Sequence, residues 1–264
     1  MAVIAFLGYG ELGSVLGSAL ASEHEVRPWS RSLAGSLTAA LEGAQAVVSA
    51  VPGSVSAEVF ARALPLLSDD TLFVDLTAAS PEVKERAAAQ HEMYADGAVL
   101  GTVATSGEDV PIAAAGPAAA PFAELGLNVS VLDGPAGTAA RLKLVRSVFM
   151  KGRDALVLEM MLAARRLGVE DEVARSIAGP GEQVPFTELS ERVLRALAVH
   201  AGRRAEELDS SAALLRELGV DPLVTEAGAE RLRRLAATGL RERLGGERPP
   251  DGRATLDAAE EASP

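Results

Sequence analysis

The chain opens on an apolar run at 2–7 that stops at Gly8, and a helix-periodic apolar stretch follows over 11–21. The same alternation of short β-rich runs and helical segments continues through the first half. Strands are predicted at 2–7, 24–29, 45–51, 71–76, 93–99, 110–115 and 128–132, and helices at 11–21, about 33–41, 54–66 and 81–90. Ser80-Pro81-Glu82 is a helix start: a capping hydroxyl, a proline in the first turn and an early acid. Strands separated by helices imply a parallel, doubly wound α/β sheet, and the shorter connections between the later strands imply that part of it is mixed.

The texture changes at Gly134-Pro135-Ala136-Gly137. From 138 to 167 there is no proline and only Gly152, so one helix of about 40 Å is expected, long enough to leave one domain and begin another. The remaining pattern is helical, at 169–178, 185–199, 202–218 and 221–236, with Pro180 and Pro185 bracketing one turn and Gly219 to Pro222 marking another. Residues 245–264 lack apolar periodicity and read as a disordered tail. The expected organisation is therefore a Rossmann-like domain over 1–134, a helical substrate and dimerisation domain over 135–244, and the tail.

The first strand–helix junction reads Gly8-Tyr9-Gly10-Glu11-Leu12-Gly13. In a dinucleotide-binding turn the first glycine allows the tight bend, the second lets backbone approach a pyrophosphate, and the third lets helix and strand pack closely. The free N–H groups of the helix start then face the phosphates. An NAD site places an acid about 20 residues further on, where it bonds the ribose. This chain offers Ser30, Arg31 and Ser32 instead. A guanidinium and two hydroxyls suit a 2′-phosphate that a carboxylate would repel, so NADP is the expected cofactor.

Composition narrows the class. A chain of 264 residues with net charge −12 points away from nucleic acid and anionic membranes as partners. No apolar run reaches the roughly 18 residues a membrane span requires, and a strand at the N-terminus leaves no room for a signal peptide. A cytoplasmic protein is expected. With no cysteine and three scattered histidines (His24, His91, His200), neither thiol chemistry nor a metal site is expected.

Of the 25 basic residues only Lys84, Lys143 and Lys151 are lysines. Lys143, Ser147 and Lys151 share one face of the long helix at i, i+4 and i+8. A lysine where the chain leaves a Rossmann-like sheet can exchange a proton with a reacting oxygen beside a hydride donor. For Lys151 a solvated, salt-bridged role is equally open. Further on, His200, Arg203 and Arg204 lie within one turn. There an arginine can hold a substrate carboxylate or phosphate, or it can pair with Glu206 or Glu207 on a wet face.

These stretches resemble the β-hydroxyacid dehydrogenase superfamily, which includes 3-hydroxyisobutyrate and 6-phosphogluconate dehydrogenases and the imine reductases. The likeness spans about 2–240. It rests on Gly8–Gly13, Trp29 to Ser32, Val51-Pro52, Phe73 to Pro81 with Thr77, Asp96 to Gly101, and Gly134-x-x-Gly137 leading to Lys143. The residues around Lys143 and His200 look more narrowly like a bacterial branch with its own phosphogluconate-dehydrogenase-like helical C-terminal domain. The resemblance implies that Val51 and Pro52 lie along the cofactor and that Lys143 is catalytic. Two departures stand out. The dehydrogenases follow this strand with Ser-Gly-Gly to hold a substrate carboxylate, whereas this chain has Leu100-Gly101-Thr102, leaving Thr102 or Thr105 as replacements. The family's asparagine one turn after the lysine is Ser147 here.

The resulting expectation is an NADP(H)-dependent oxidoreductase of a small hydroxy or oxo compound. Lys143 would be its proton carrier, Ser147 would hold the reacting oxygen, and Leu100, Thr102, Lys151, His200 and Arg203 would contact substrate. Imine reductases generally lack the lysine, so Lys143 favours C–O chemistry, with C=N reduction as the alternative. A non-catalytic NADP-binding protein is the third reading. The apolar residues of the long helix (Leu142, Val145, Phe149, Leu156, Met160, Ala163) exceed what the later helices can cover, so a two-fold homodimer is expected.

Overall fold

The computed structural model describes residues 1–33, 35–179 and 183–261. The turn expected at Pro180 lies outside them. Seven strands form one sheet: β1 Val3–Leu7, β2 Glu25–Trp29, β3 Ala46–Ser49, β4 Leu72–Asp75, β5 Tyr94–Val99, β6 Ile112–Ala115 and β7 Val129–Val131. Their order across the sheet is β2-β1-β3-β4-β5-β6-β7. Strands β1 to β5 are parallel, β6 runs antiparallel to β5, and β7 is parallel to β6. Every expected strand is present. The mixed part of the sheet falls where the connections shorten.

Helices α1 Glu11–Leu20, α2 Leu37–Leu41, α3 Ser56–Ala63, α4 Pro81–Ala88, α5 Val103–Ser106 and α6 Ala119–Ala123 connect the strands. Alternation along each strand sends side chains to opposite faces. Ile4 and Phe6 of β1 join Leu16 and Leu20 of α1 on one face. Ala5 and Leu7 join Leu41, Val59 and Phe60 on the other. Both faces are therefore covered, which is what near-continuous apolar strands require. Pro28 is accommodated because β2 is an edge strand, where a missing N–H breaks no ladder bond.

After Gly137 come α7 Thr138–Leu167, α8 Glu170–Ile177, α9 Phe186–Glu217, α10 Leu223–Ala236, α11 Leu240–Arg243 and α12 Arg253–Glu261. The chain forms two compact units, 1–148 and 149–264. The division falls inside α7 rather than at 134, because the first turns of α7 belong to the sheet unit. Ala139 is fully buried there with Ala98, Ala113 and Ala115.

The second unit corrects two expectations. The segments expected at 185–199 and 202–218 are one helix, α9. Gly202 does not break it: its backbone stays helical, and a Cβ there would make only ordinary contact with Ala236 Cβ at 3.6 Å, so the position carries no constraint that ends the helix. The tail expected to be disordered is helical over Arg253–Glu261 and anchored on α9. Thr255 Oγ1 donates to Leu194 O at 2.9 Å and Gly252 N–H to Glu191 Oε1 at 2.8 Å. Its buried contacts are Thr255 and Ala258, too small and polar to register as apolar periodicity. No helix among the described residues is long and apolar enough to cross a membrane.

One buried carboxylate ties α7 to α10 within the second unit. Glu159 of α7 accepts from Val224 N–H at 2.8 Å, Thr225 N–H at 3.0 Å and Thr225 Oγ1 at 2.6 Å, capping α10. Burial pushes this carboxyl up, but the Thr225 hydroxyl and the two amides outweigh it and hold it below the usual range. Glu159→Ala is expected to destabilise the protein by about 2 kcal/mol, the scale of a lost cap with charge-assisted bonds. The carboxyl is depressed in the folded state, so its contribution is complete above the unfolded value of 4.5 and fades as pH falls through the folded value. Urea unfolding of both proteins between neutral pH and pH 3 checks this. A gap that does not narrow on acidification contradicts it.

Candidate active site

The order β2-β1-β3 makes the chain reverse direction across the sheet at β1, so the carboxyl ends of β1 and β3 flank a crevice. A cleft of ≈ 600 Å³ opens there. Its floor is the glycine turn. Gly8 has φ +93°, and a Cβ on it would meet Ala50 C and Val51 N at 2.7 Å. Gly13 sits so close to the strand end that a Cβ would lie 2.1 Å from Gly8 O. A Cβ on Gly10 would instead meet nothing within 4 Å, so this backbone faces open space. Gly10 caps α1 without a side-chain acceptor, leaving the first N–H groups of the helix directed at the cleft floor.

Of the residues singled out from sequence, Gly8, Tyr9, Gly10, Ser30, Arg31, Ser32, Val51 and Pro52 line this cleft together. Glu11, Leu12 and Gly13 form the first turn of α1 beneath it. The Ser30 and Ser32 hydroxyls hydrogen-bond each other at 3.1 Å, which holds them side by side and leaves one of the two protons free. Sequence reasoning missed Arg62 of α3. Its guanidinium stacks 5.5 Å over the Trp29 ring and also lines the cleft. Glu58, one turn earlier, stands 3.9 Å from it. Nothing in the sequence distinguishes Arg62 from other helix arginines, because Trp29 and α3 meet only in three dimensions.

A second cavity, ≈ 210 Å³, lies in the same unit and is lined by Thr77, Lys84, Gly97, Lys143 and Ser147 among others. Thr77, expected along the cofactor, borders this cavity with Lys143. Burial first, then the Lys84 ammonium and the Arg146 guanidinium, hold the Lys143 ammonium below its usual range, while Asp96 pulls the other way. Ser147 Oγ donates to Lys143 O at 2.8 Å. Its proton is therefore committed to the helix, and what it offers the cavity is lone pairs.

Beneath this cavity lies a buried polar network. Lys84 Nζ donates to Asp96 Oδ1 at 2.8 Å, Gly97 O at 2.8 Å and Asp75 O at 2.9 Å. Asp96 Oδ2 accepts from Gly137 N–H at 3.0 Å and Ala140 N–H at 2.8 Å, at the start of α7. Asp75 accepts from Tyr94 OH and Ser56 Oγ, both at 2.9 Å, and from Thr77 N–H at 2.8 Å. Burial, and then Asp75, push the Tyr94 hydroxyl far up, so it stays protonated. The scarcity of lysine was the one available signal for Lys84.

The remaining candidates are not among the residues lining these two cavities. Leu100 and Thr102 line neither cavity. The Thr102 and Thr105 hydroxyls bond each other at 2.9 Å, so their hydrogen bonding is local. Lys151 is exposed and stands 3.9 Å from Asp154. His200 and Arg203 line a ≈ 260 Å³ pocket of the second unit with Arg241 and Glu242. Arg203 is paired with Glu207. Burial, and then Arg203, Arg248, Arg204 and Arg241, push His200 down, leaving it neutral at pH 7. Among the described residues no group of three His, Cys, Asp or Glu is arranged to hold a metal.

Residues 164–235 match the model of a domain of unknown function (DUF1932). An uncharacterised 28.5 kDa protein of Methanothermus fervidus is 25% identical over 139 residues, 52% of this chain and 55% of that one, so the match spans about half of that relative. Among solved structures, a conserved protein of unknown function described as similar to 3-hydroxyacid dehydrogenases is 29% identical, covering 92% of this chain and 98% of that one, at TM-score 0.58. An imine reductase variant from Myxococcus stipitatus, solved with NAD+, is 21% identical over 98% of this chain and 99% of its own, at TM-score 0.76. A reductive aminase from Aspergillus terreus, solved with NADPH and ethyl levulinate, is 19% identical over 97% and 99%, at TM-score 0.74. The fold of this protein is thus the one found in 3-hydroxyacid dehydrogenase-like proteins and imine reductases, with the DUF1932 match lying in its helical C-terminal part.

Proposed function

We propose that this protein is an NADP(H)-dependent oxidoreductase acting on a small hydroxy or oxo compound. The cleft over the glycine turn carries this reading: open backbone at Gly10, free helix N–H groups, and a rim holding Arg31, Arg62 and the Ser30–Ser32 hydroxyl pair. That donor set fits a dinucleotide with a 2′-phosphate, and such a cofactor supplies or accepts a hydride when bound. The α1 amides and Gly10 would hold the pyrophosphate. Arg31, Ser30 and Ser32 would bind the 2′-phosphate, and Arg62, fixed by Trp29, adds a second cation. Cofactor-bearing structures of the same fold support the assignment of a nicotinamide cofactor.

Lys143 is the proton carrier in this reading. Its depressed ammonium gives up a proton more readily than an ordinary lysine, as donation to a developing alkoxide requires. The Ser147 oxygen, its own proton engaged, is left to accept from a substrate hydroxyl. Reduction of a C=N bond is the alternative. It is favoured by Leu100-Gly101-Thr102 standing outside the cavity where a carboxylate-holding loop would be expected. A second copy of the chain is the proposed partner, because Leu156, Val157, Leu158 and Leu162 of the second unit are exposed. A non-catalytic role is the third reading, which cofactor turnover on a panel of hydroxy acids, oxo compounds and cyclic imines separates from the other two.

Three outcomes are expected. Arg31→Ala costs on the order of 1.5–3 kcal/mol of NADPH binding while sparing NADH, read by fluorescence titration. Equal wild-type affinity for the two cofactors overturns the NADP assignment. Lys143→Ala binds NADPH normally and loses about 10²–10⁴-fold in turnover, and Lys143→Arg does not rescue it, since a guanidinium scarcely releases its proton. An alanine variant that keeps its turnover makes Lys143 merely structural. In light scattering at low micromolar concentration the particle has twice the monomer mass, and an active monomer refutes the dimer.

A further inference from the structure

Lys84 is buried to 1% exposure, yet it borders the cavity that holds Lys143. A buried ammonium is costly unless it is paired and its protons are satisfied. Here all three protons are taken, by Asp96 Oδ1, Gly97 O and Asp75 O. Lys84 therefore has no free proton to pass on and no freedom to turn. What remains is a fixed charge. Asp96 ties that charge to the helix that carries Lys143, because its other oxygen binds the amides of Gly137 and Ala140. An apolar pair would fill the same space at no electrostatic cost, so the pair's particular effects are where it starts α7 and the field it sets in the cavity.

We propose that Lys84 and Asp96 are positioning residues for Lys143. Asp96 fixes the start of α7 against β5, and Lys84 is an immobile cation in the cavity wall that makes Lys143 a better proton donor. This rests on the reading of Lys143 as the proton carrier. The charged groups facing Lys143 are Lys84 from α4, Asp96 from β5 and Arg146 from α7 itself, with Asp75 of β4 behind Lys84 at 4.0 Å. Lys84 and Arg146 disfavour the Lys143 ammonium after burial has already done so, and Asp96 favours it. Removing Lys84 and removing the charge of Asp96 must therefore have opposite effects. A site that merely loosens would let solvent in, and both changes would move Lys143 toward its ordinary value.

The chain has only three lysines, so ¹³Cε-lysine labelling gives a spectrum in which each can be followed. Lys143 is identified by loss of its resonance in Lys143→Arg. In the intact protein its titration midpoint is expected below the ordinary lysine value of about 10.4. Lys84→Met raises that midpoint and Asp96→Asn lowers it, with the Lys151 curve unchanged as an internal reference. Movement in the same direction in both variants, no movement in either, or an ordinary midpoint in the wild type overturns the proposal. If Lys84→Met does not fold, the downward shift in Asp96→Asn still decides. No substrate is needed, so the two readings fail separately. Opposite shifts together with full turnover in Lys143→Ala would retain the positioning and discard the proton-carrier role.

Discussion

The arrangement of the sheet unit depends on one buried carboxylate. Asp96 has no exposed surface, and an unpaired charge there would cost several kcal/mol. It is matched by the Lys84 ammonium on one oxygen and by two amides at the start of α7, those of Gly137 and Ala140, on the other. The amides lie at the positive end of the helix, where a negative charge is favoured. The same carboxylate thus joins β5, α4 and α7. Lys143 follows Gly137 by six residues, about 9 Å along the helix, so its distance from the sheet is set by that junction.

The second constraint is topological. Because the chain steps from β1 outward to β2 and then back across to β3, the helices that follow β1 and β3 lie on opposite faces of the sheet and leave a crevice at the carboxyl ends of the two strands. Close packing at Gly8 and Gly13 draws α1 against β1 and turns its amide end toward that gap. The chain as a whole is acidic, with net charge −12. Against that background Arg31 and Arg62 place two cations at one mouth, one of them braced on an indole face. Burial and the neighbouring cations Lys84 and Arg146 act on Lys143 in the same direction in the other cavity.

The second unit is held differently. Ala198, Ala201 and Ala205 of α9 are buried, and Ala198 and Ala201 pack with Leu235 of α10 and Leu240 of α11, so small residues of α9 receive larger side chains of its neighbours. Specific polar anchors complement that packing: Glu159 under the start of α10, and Glu191 and the Leu194 carbonyl holding Gly252 and Thr255. Such anchors join residues some sixty positions apart, and this is why the C-terminal segment is a packed helix despite its polar composition.

The strands, the length of α7 and the glycine turn were legible in the sequence because each is written in local periodicity: alternate apolar positions, thirty residues without proline, three glycines at fixed spacing. The grouping of Gly8 to Gly10 with Ser30 to Ser32 and Val51-Pro52 was legible for a related reason, since these residues follow strand ends and a parallel sheet brings strand ends together. The continuity of α9 through Gly202 and the helix at Arg253–Glu261 were not, because alanine and threonine make helix contacts only when a partner surface is present. Nor were the stacking of Arg62 on Trp29, the engagement of Thr102 with Thr105, or the burial of Lys84 between Asp96 and two carbonyls. Sequence determines what each segment prefers and which end of the sheet is open. Tertiary structure decides which charges lose their water and face one another, because desolvation and Coulomb energy depend on distances that no local pattern encodes.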